Sequence, residues 1–414
     1  MTEADRAAAT GGVRNVVIVG SGHGGVEVAA ALRQRGFAGS ITVVGNEPHL
    51  PYQRPPLSKE FLKGPEDSGL PLKGEAFYRE KEIGLRLGIA AARIDRAARE
   101  LVLKDGRRLA YDHLVLATGA RNRIPPIPGL EAAGLLELRT LDDARRLNAR
   151  LDRLKHVTVI GGGFIGLEVA ALMRARDIGV DVLEATPVLM GRVLSRQMSA
   201  HFRFFHEGLG TKLHFETLVR GIRRAGHDHQ VFLSSDEALT TSAVVVAAGV
   251  APNVELAAEA GLSVANGIVT NDRLLTTDPA ISAIGDCAAH PNAFDGGMAR
   301  LESVQNAVDQ ARHVAARLTG EDSPYHAVPW FWSNQGTLRL QIAGLAQGHE
   351  DIVTRGDPAA DKFSFFLYRG DRLVAVESVN SAADHMLARR LFERGKSAPR
   401  ELVADSTADL KSLL

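Results

Sequence analysis

The hydrophobic and polar positions form the same pattern twice along the chain. At Asn15 a short run rich in β-branched residues leads into a glycine-rich turn and then into an alanine-rich stretch with helical spacing, and the pattern recurs from His156. Each copy is followed by a second apolar run, at residues 40–44 and 179–183. Short apolar runs of this kind are typical of buried parallel strands. The sequence therefore predicts two βαβ units of the same kind.

Further apolar runs indicate how the two units are connected. Runs that begin at Asp112 and Ala243 predict strands just before and just after the second unit, and another begins at Ala280. The simplest topology inserts the second unit into the first. From Trp330 onward the sequence contains aromatic residues and segments of alternating apolar and polar positions, which predict strands at 338–342, 363–368 and 372–376. The predicted fold is α/β, with two Rossmann-like domains, one inserted in the other, and a C-terminal α+β domain.

The predicted domain boundaries follow from these runs. They are a disordered tail at 1–14, an outer domain at 15–121 and 252–326, an inserted domain at 122–251, and a C-terminal domain at 327–414. A length of 414 residues suits two or three domains at about 150 residues each.

Composition narrows the classes of function. Lys+Arg 49 balances Asp+Glu 49, so no global charge favours nucleic acid or an anionic membrane. The single cysteine, Cys287, excludes an internal disulfide and a cysteine-cluster metal site. No apolar run reaches the length that spans a membrane, and the first residues lack the apolar core of a signal peptide. We expect a cytoplasmic protein with no metal, nucleic-acid or membrane partner.

Both glycine-rich turns match the G-x-G-x-x-G pattern of dinucleotide-binding proteins. The matching glycines are Gly20, Gly22 and Gly25 in the first turn, and Gly161, Gly163 and Gly166 in the second. Such glycines permit a tight turn, a close approach of the backbone to a pyrophosphate, and close packing of helix on strand. Glycine turns between strand and helix also occur for purely structural reasons. The repetition of the motif in the same context favours binding of two dinucleotides.

An acidic residue closes the second strand of the inserted unit. Glu184 stands about 20 residues after the glycine turn, where an acid can accept hydrogen bonds from the 2′-hydroxyl of NAD. A carboxylate there would repel the 2′-phosphate of NADPH. The alternative is a solvated acid at a strand end. The spacing predicts that the inserted domain prefers NADH.

Several longer motifs are more specific than the glycine turns. The stretch Glu47–Lys59, EPHLPYQRPPLSK, resembles the proline-rich segment of putidaredoxin-reductase-like, FAD-dependent ferredoxin reductases, the reductase components of P450 and aromatic-ring dioxygenase systems. Five further segments resemble this family in the same order: ATGA at 117–120, LRTL at 138–141, IGDC at 284–287, RLESVQNA at 300–307 and PWFWS at 329–333. The resemblance runs from about Asn15 to the C-terminus.

The resemblance implies a reaction and its cofactors. It places FAD in the outer domain and NADH in the inserted one, with hydride passing from NADH to FAD. Single electrons would then pass to a [2Fe–2S] ferredoxin that feeds a P450 or a Rieske oxygenase. The implied FAD-binding residues are Gly20, Gly22, Gly24, Gly25, Asn46, Glu47, Arg54, Lys59, Ala91, Thr118, Gly119, Arg139, Asp286 and Val304.

Two of the implied residues are assigned to the reaction itself. Lys59 can supply a fixed positive charge near the flavin, although a lysine taken alone is more often a surface residue. Glu168, expected on the first turn of the inserted helix, could pair with Lys59 and bond the nicotinamide carboxamide. Its alternative role is that of an acid stabilised by the helix dipole. Asn46 stands where relatives carry an acid for the adenosine ribose, so we divide that role between Asn46 and Glu47.

Two other functions remain open from the sequence. One is an NADH oxidase or peroxide-forming flavoprotein, against which the absence of a cysteine between Pro51 and Lys59 argues. The other is a non-catalytic NADH-sensing module of the apoptosis-inducing-factor type, against which the balanced charge argues. Cys287 is expected to be a core residue. Trp330 and Trp332 are either core residues or anchors for the ferredoxin.

Overall fold

The computed structural model describes residues 12–64, 69–131, 134–292, 294 and 296–414. Of the predicted disordered tail at 1–14, residues 1–11 lie outside the described residues. The α-helices are α1 (His23–Gln34), α2 (Glu75–Glu80), α3 (Leu141–Asn148), α4 (Phe164–Arg174), α5 (Arg196–Gly208), α6 (Glu255–Glu259), α7 (Val304–Leu318), α8 (Ala382–Glu393) and α9 (Arg400–Ala404). Within the described ranges, none of these helices has both the length and the apolar character needed to cross a membrane.

The strands follow one another in short segments. The strands up to residue 122 are β1 (Asn15–Val19), β2 (Ser40–Val44), β3 (Ile83–Arg86), β4 (Ala91–Asp95), β5 (Glu100–Leu103), β6 (Arg108–Ala110), β7 (His113–Leu116) and β8 (Ala120–Asn122). The next are β9 (His156–Ile160), β10 (Gly179–Leu183), β11 (Lys212–His214), β12 (Val219–Ala225), β13 (Asp228–Leu233), β14 (Ala238–Thr241), β15 (Ala243–Val246) and β16 (Val250–Pro252). The remainder are β17 (Val264–Ala265), β18 (Gly267–Val269), β19 (Ile281–Ala283), β20 (Ala288–Pro291), β21 (Met298–Ala299), β22 (Trp330–Gln335), β23 (Leu338–Gly344), β24 (Asp351–Asp357), β25 (Lys362–Arg369) and β26 (Arg372–Val379).

The chain forms two compact units. The first comprises Met1–Gln53, Asp67–Arg121 and Ala251–Pro329, and the second comprises Arg54–Glu66, Asn122–Val250 and Trp330–Leu414. The second unit therefore contains the end of the proline-rich segment, from Arg54 to Lys59, together with the inserted βαβ unit and the C-terminal domain.

The first unit is built on a parallel sheet with strand order β19-β7-β1-β2-β3. One face buries Ile18 and Val43 against the apolar sides of α1 and α7, which include Leu32 and Val314. The other face packs against the antiparallel strands β4, β5 and β6, with Leu101 at the centre. Burial on both faces explains why the strands are apolar throughout instead of alternating.

The second unit contains a parallel sheet with strand order β11-β10-β9-β15. Ile160 and Leu183 pack against the antiparallel strands β12, β13 and β14. The C-terminal residues form an antiparallel sheet with order β22-β23-β26-β25-β24, and α8 packs on β23 and β26. The predicted α/β class is confirmed, and so are the predicted strands at 40–44 and 179–183.

Candidate functional site

The first glycine loop leaves an open space at the N-terminus of α1. Gly20 follows β1 with φ +121°, and a Cβ atom there would lie 2.0 Å from the carbonyl oxygen of Ala117. A Cβ at Gly25 would lie 1.9 Å from the carbonyl oxygen of Gly20, so glycine is required for the helix to pack this closely. At Gly22, the N-cap, no atom lies within 4 Å of such a Cβ, and no side chain caps the helix. An open, uncapped helix N-terminus suits the pyrophosphate of a dinucleotide.

The second glycine loop repeats this geometry in the inserted unit. Gly161 has φ +113°, and a Cβ there would lie 2.4 Å from the carbonyl oxygen of Ala247. A Cβ at Gly166 would lie 2.2 Å from the carbonyl oxygen of Gly161, whereas Gly163, the N-cap of α4, faces open space. The two loops thus share the tight turn, the close helix packing and the open anion position. Each unit therefore has the local geometry of one dinucleotide site.

Glu184 lies at the carboxyl end of β10, against the second loop. Its carboxylate accepts hydrogen bonds from the N–H of Gly162 at 2.7 Å and from the N–H and O–H of Thr186, both at 2.8 Å. These bonds hold the carboxylate beside the glycine loop while the side chain stays half-buried. The structure places Glu184 where a ribose-binding acid is expected.

In the first unit, the predicted residues gather at the carboxyl edge of the parallel sheet. Asn46 follows β2 and is exposed, whereas the carboxylate of Glu47 accepts a hydrogen bond from Tyr52. Asp286 lies in a short turn after β19, and Val304 is the first residue of α7. Parallel strands end at a common edge, which explains how residues so distant in sequence converge. Ala91 opens β4, and Gly24 is buried in the first turn of α1.

The turn after β7 is held by a residue that sequence reasoning did not assign. Thr118 donates its hydroxyl proton to the carbonyl oxygen of Asn253 at 2.7 Å, and Asn253 Nδ2 donates back to the carbonyl of Thr118 at 2.8 Å. The N–H of Asn253 also donates to the carbonyl of Gly119 at 2.9 Å. Asn253 directly follows β16, and because Thr118 lies 135 residues away in sequence, no local pattern indicates that the two residues pair.

Three of the predicted FAD residues belong to the second unit. Arg54, Lys59 and Arg139 all lie there, and Arg54 Nη1 donates to the carbonyl oxygen of Arg139 at 2.5 Å. The structure thus divides the predicted FAD set between the units. The assignments of these three residues to the flavin remain predictions.

Lys59 and Glu168 form a buried ion pair. Lys59 Nζ lies 2.6 Å from Glu168 Oε2, and the side chains are 13% and 3% exposed. Lys59 follows the turn Pro55–Ser58, and its Nζ also donates to Ser58 Oγ at 3.3 Å. The Ser58 hydroxyl donates to the same carboxylate oxygen at 2.5 Å. Charged groups this deeply buried are stable only when they are paired and hydrogen-bonded, as here.

The position of Glu168 corrects one detail of the sequence analysis. It was expected on the first turn of the helix, but α4 begins at Phe164, so Glu168 is the fifth helical residue and the first turn contains no acid. Stabilisation by the helix dipole falls off within the first turn. The ion pair with Lys59, and not the dipole, therefore accounts for a carboxylate at this site.

A second serine completes the carboxylate's environment. Ser333, on β22, donates its hydroxyl proton to Glu168 Oε1 at 2.7 Å and is fully buried. Ser58 and Ser333 both lie in motifs recognised in the sequence, yet neither was assigned a role. Their distance from Glu168 in sequence, 110 and 165 residues, leaves no local signal for the contact.

The two tryptophans of β22 are half-buried. Their rings pack together with centroids 5.6 Å apart, and the guanidinium of Arg389 lies 4.4 Å from the centroid of the Trp330 ring. The residue between them, Phe331, lies on the other face of the strand, and its ring centroid is 4.6 Å from that of Phe164 in α4. Partial exposure is compatible with either predicted role, core residue or docking anchor.

Cys287 is a buried thiol within the first unit. It is 0% exposed, its Sγ lies 3.2 Å from the carbonyl oxygen of Ile284, and burial raises its pKa. A thiol that is inaccessible and resists ionisation is a poor redox partner, because the thiolate is the reactive species. The geometry agrees with the predicted core role.

The two glycine loops with open helix N-termini have the geometry of a protein that binds two dinucleotides. The chain belongs to the pyridine nucleotide-disulphide oxidoreductase family, whose model matches residues 14–311. A second model, described as a reductase C-terminal domain, matches residues 330–414. Together with the relatives described next, these two matches confirm the ferredoxin-reductase family predicted from the sequence motifs.

Individual relatives match over nearly the whole chain. Rhodocoxin reductase of Rhodococcus erythropolis is 47% identical over 399 residues, covering 96% of this chain and 93% of that protein. The crystal structure of the ferredoxin reductase for the CYP199A2 system of Rhodopseudomonas palustris has a TM-score of 0.94 at 46% identity, covering 97% and 99% of the two chains. The covalent putidaredoxin reductase–putidaredoxin complex gives a TM-score of 0.92 at 37% identity, covering 97% and 98%.

Proposed function

We propose that this chain is an NADH-dependent, FAD-containing ferredoxin reductase. The observation that carries the proposal is its similarity, over nearly its full length, to reductases that serve ferredoxins, one of them crystallised with putidaredoxin. The predicted enzyme class, cofactors and ferredoxin partner agree with this similarity.

The glycine loops support a division of labour between the units. The first loop suits the pyrophosphate of FAD, and the second suits that of NADH, because each places an open helix N-terminus beside a tight turn. We assign FAD to residues 15–121 and 252–326, NADH to 122–251, and a partner-facing role to 327–414. When bound, FAD would supply the redox chemistry, which is to accept a hydride from NADH and to release electrons one at a time.

The residues of the second unit bind and orient NADH in this proposal. Glu184 accepts a hydrogen bond from the ribose 2′-hydroxyl of the adenosine half. Glu168 accepts one from the carboxamide of the nicotinamide, using a lone pair that Ser58, Lys59 and Ser333 leave free. A carboxylate held by three donors cannot turn away from its ligand, and such orientation brings the reacting atoms into line.

The electron acceptor is a [2Fe–2S] ferredoxin, docked with the help of the C-terminal domain. Arg339 and Arg390 are exposed on this domain, and Arg389 stacks on the half-buried Trp330. Exposed arginines can attract an acidic ferredoxin, and arginine and tryptophan are frequent interface anchors. The reduced ferredoxin then serves a P450 or a Rieske oxygenase. A reducing cytoplasm suits the single, unpaired cysteine.

The test is reduction of ferredoxins from the same genome, followed by stopped-flow absorbance or by coupled reduction of cytochrome c. We expect one ferredoxin to be reduced far faster than oxygen, at a rate that falls as ionic strength rises. NADH-to-ferricyanide turnover needs no protein docking, so it should change much less with salt. If oxygen consumes the electrons faster than every ferredoxin does, the NADH oxidase hypothesis should replace the ferredoxin reductase proposal.

A further inference from the structure

Buried polar side chains continue from the Lys59–Glu168 pair into the C-terminal domain. Ser333 donates to Glu168 Oε1 at 2.7 Å, and Gln335 Nε2 donates to Ser333 Oγ at 3.3 Å. His206, on α5, lies with its Nε2 2.8 Å from Gln335 Oε1. Ser333, Gln335 and His206 are all 0% exposed. A continuous hydrogen-bonded chain thus joins α4, β22 and α5.

The donors of this chain all point towards Glu168. The amide oxygen of Gln335 can only accept, so Nε2 of His206 carries the proton. Burial lowers the pKa of His206, which keeps the ring neutral. Its other nitrogen, Nδ1, is buried and has no hydrogen-bond partner among the described residues, so no acceptor there favours a proton on Nδ1. Aligned donors polarise one another and strengthen the last bond of the chain, the one to the carboxylate.

A second branch leads from Gln335 to the glycine loop of the inserted unit. Gln335 Nε2 lies 3.5 Å from Sδ of Met190, and the N–H of Met190 donates to the carbonyl of Gly162 at 3.0 Å. The N–H of Gly162 in turn donates to Glu184. Gln335 therefore contacts both Ser333, which holds the carboxylate of Glu168, and Met190, which holds the glycine loop beside Glu184.

The local structure explains why Gln335 reaches this point. Alternation along β22 turns Phe331, Ser333 and Gln335 to one face, and the next residue, Gly336, has φ +56°. A Cβ at Gly336 would lie 2.8 Å from the ring of Phe205, so glycine lets the turn rest against α5. The close approach brings Gln335 over His206, in the last turn of the same helix.

We infer that Gln335 and His206 are positioning residues of the NADH site, which fix the carboxylate of Glu168 and the glycine loop from within the C-terminal domain. The inference rests on the proposed role of Glu168 at the nicotinamide. It makes the C-terminal domain a determinant of nucleotide binding as well as of partner docking. Neither residue is assigned a contact with the nucleotide: His206 acts through Gln335, and Gln335 acts through Ser333 and Met190.

The experiment measures NAD⁺ affinity of the oxidised holoprotein by calorimetry, with NADH-to-ferricyanide kinetics beside it. Gln335→Leu and His206→Leu should each weaken NAD⁺ binding, by up to about fivefold when the full contribution of one net hydrogen bond is transmitted to the site. KM for NADH should rise while kcat changes less. His206→Gln retains an N–H donor and should recover most of the affinity. The matched control is Gln341→Leu. Gln341 is also a buried glutamine, but it lies beside Trp332 in the sheet register and therefore on the opposite face of the sheet from Gln335.

The outcomes separate this inference from the proposed function. If Glu168→Ala weakens NAD⁺ binding and Gln335→Leu does not, or if Gln341→Leu weakens it equally, the inference is wrong and the proposed function stands. If Glu168→Ala binds NAD⁺ like the wild type, the proposed role of Glu168 falls and the inference with it. Support requires that both single variants weaken binding. It also requires that the fold-loss of affinity in the double variant be smaller than the product of the two single losses, because residues that act through one network are not additive.

A spectroscopic measurement tests the chain without relying on a folded Gln335 variant. In ¹⁵N-histidine-labelled protein, the signals lost in His206→Gln belong to His206. They should report a neutral ring protonated at Nε2. A ring protonated at Nδ1 could not donate to Gln335 and would overturn the inference.

Discussion

Replacing Glu184 by alanine is expected to remove most of the preference for NADH and to cost some efficiency with NADH itself. The carboxylate accepts hydrogen bonds from the backbone N–H groups of Gly162 and Thr186 at 2.7 and 2.8 Å. Truncation removes the negative charge that opposes a 2′-phosphate, and it also leaves these two N–H groups without their acceptor. NADPH should gain from the first effect, and both nucleotides should lose from the second.

The two effects have different magnitudes. Two unit charges 4 Å apart repel by about 1 kcal/mol in bulk water and by about 4 kcal/mol near a protein surface. A 2′-phosphate carries a charge of about −1.5 to −2, so the weaker limit already gives about 1.5–2 kcal/mol. This exceeds the roughly 1.4 kcal/mol that corresponds to a tenfold ratio. Loss of one net hydrogen bond, about 1 kcal/mol, predicts a decrease of about fivefold in kcat/KM for NADH.

The assay compares kcat/KM for NADH and NADPH with ferricyanide as acceptor. The wild type should favour NADH by at least about tenfold, and the ratio should fall by about that factor in Glu184→Ala. Glu237→Ala is the matched control, because Glu237 is an exposed acid between β13 and β14 of the same unit and not at the end of β10. Its ratio should equal that of the wild type.

Two results would refute the reasoning. Equal efficiencies in the wild type would mean that no carboxylate faces the 2′ position. An unchanged ratio in Glu184→Ala, with NADH efficiency reduced, would mean that Glu184 only supports the glycine loop and that another residue selects the nucleotide.

Three further predictions follow from buried groups. Lys59→Met leaves the carboxylate of Glu168 buried without its counter-charge, so thermal or urea unfolding should show a loss of about 3–5 kcal/mol, and a smaller loss would mean that water reaches the site. Cys287→Ser should keep most of the NADH-to-ferricyanide activity, because the buried thiol has no redox role; near-complete loss with FAD still bound would revive the oxidase reading. Burial raises the pKa of Glu377 from 4.5 to about 7, so the folded state retains this proton to higher pH than the unfolded chain, and the contribution of Glu377 to stability falls as pH rises from about 4.5 through about 7. Unfolding at pH 5 and pH 8 should show Glu377→Gln gaining about 1–3 kcal/mol relative to the wild type over that interval, and equal differences at both pH values would contradict the shift.

The sequence predicted much of the fold because the informative patterns are local. A buried parallel strand, a glycine turn and an amphipathic helix each occupy consecutive residues, so β2 and β10 were located to the residue. The prediction for Glu184 depends on the same kind of local signal, since its position relative to Gly161 is set by one helix and one strand. The longer motifs, such as the one that ends at Lys59, then identified the family.

Contacts across the chain could not be read in this way. Ser333 and Gln335 lie more than a hundred residues from Glu168 and His206, and their hydrogen bonds exist only because β22 packs against α4 and α5. The sequence shows which residues are polar, but burial and partner choice depend on the tertiary packing. The sequence by itself therefore determined the two nucleotide units and their glycine loops. Only the tertiary structure decided which donors hold the carboxylate of Glu168, because a buried charge is stabilised by whichever partners the packing brings within hydrogen-bonding distance.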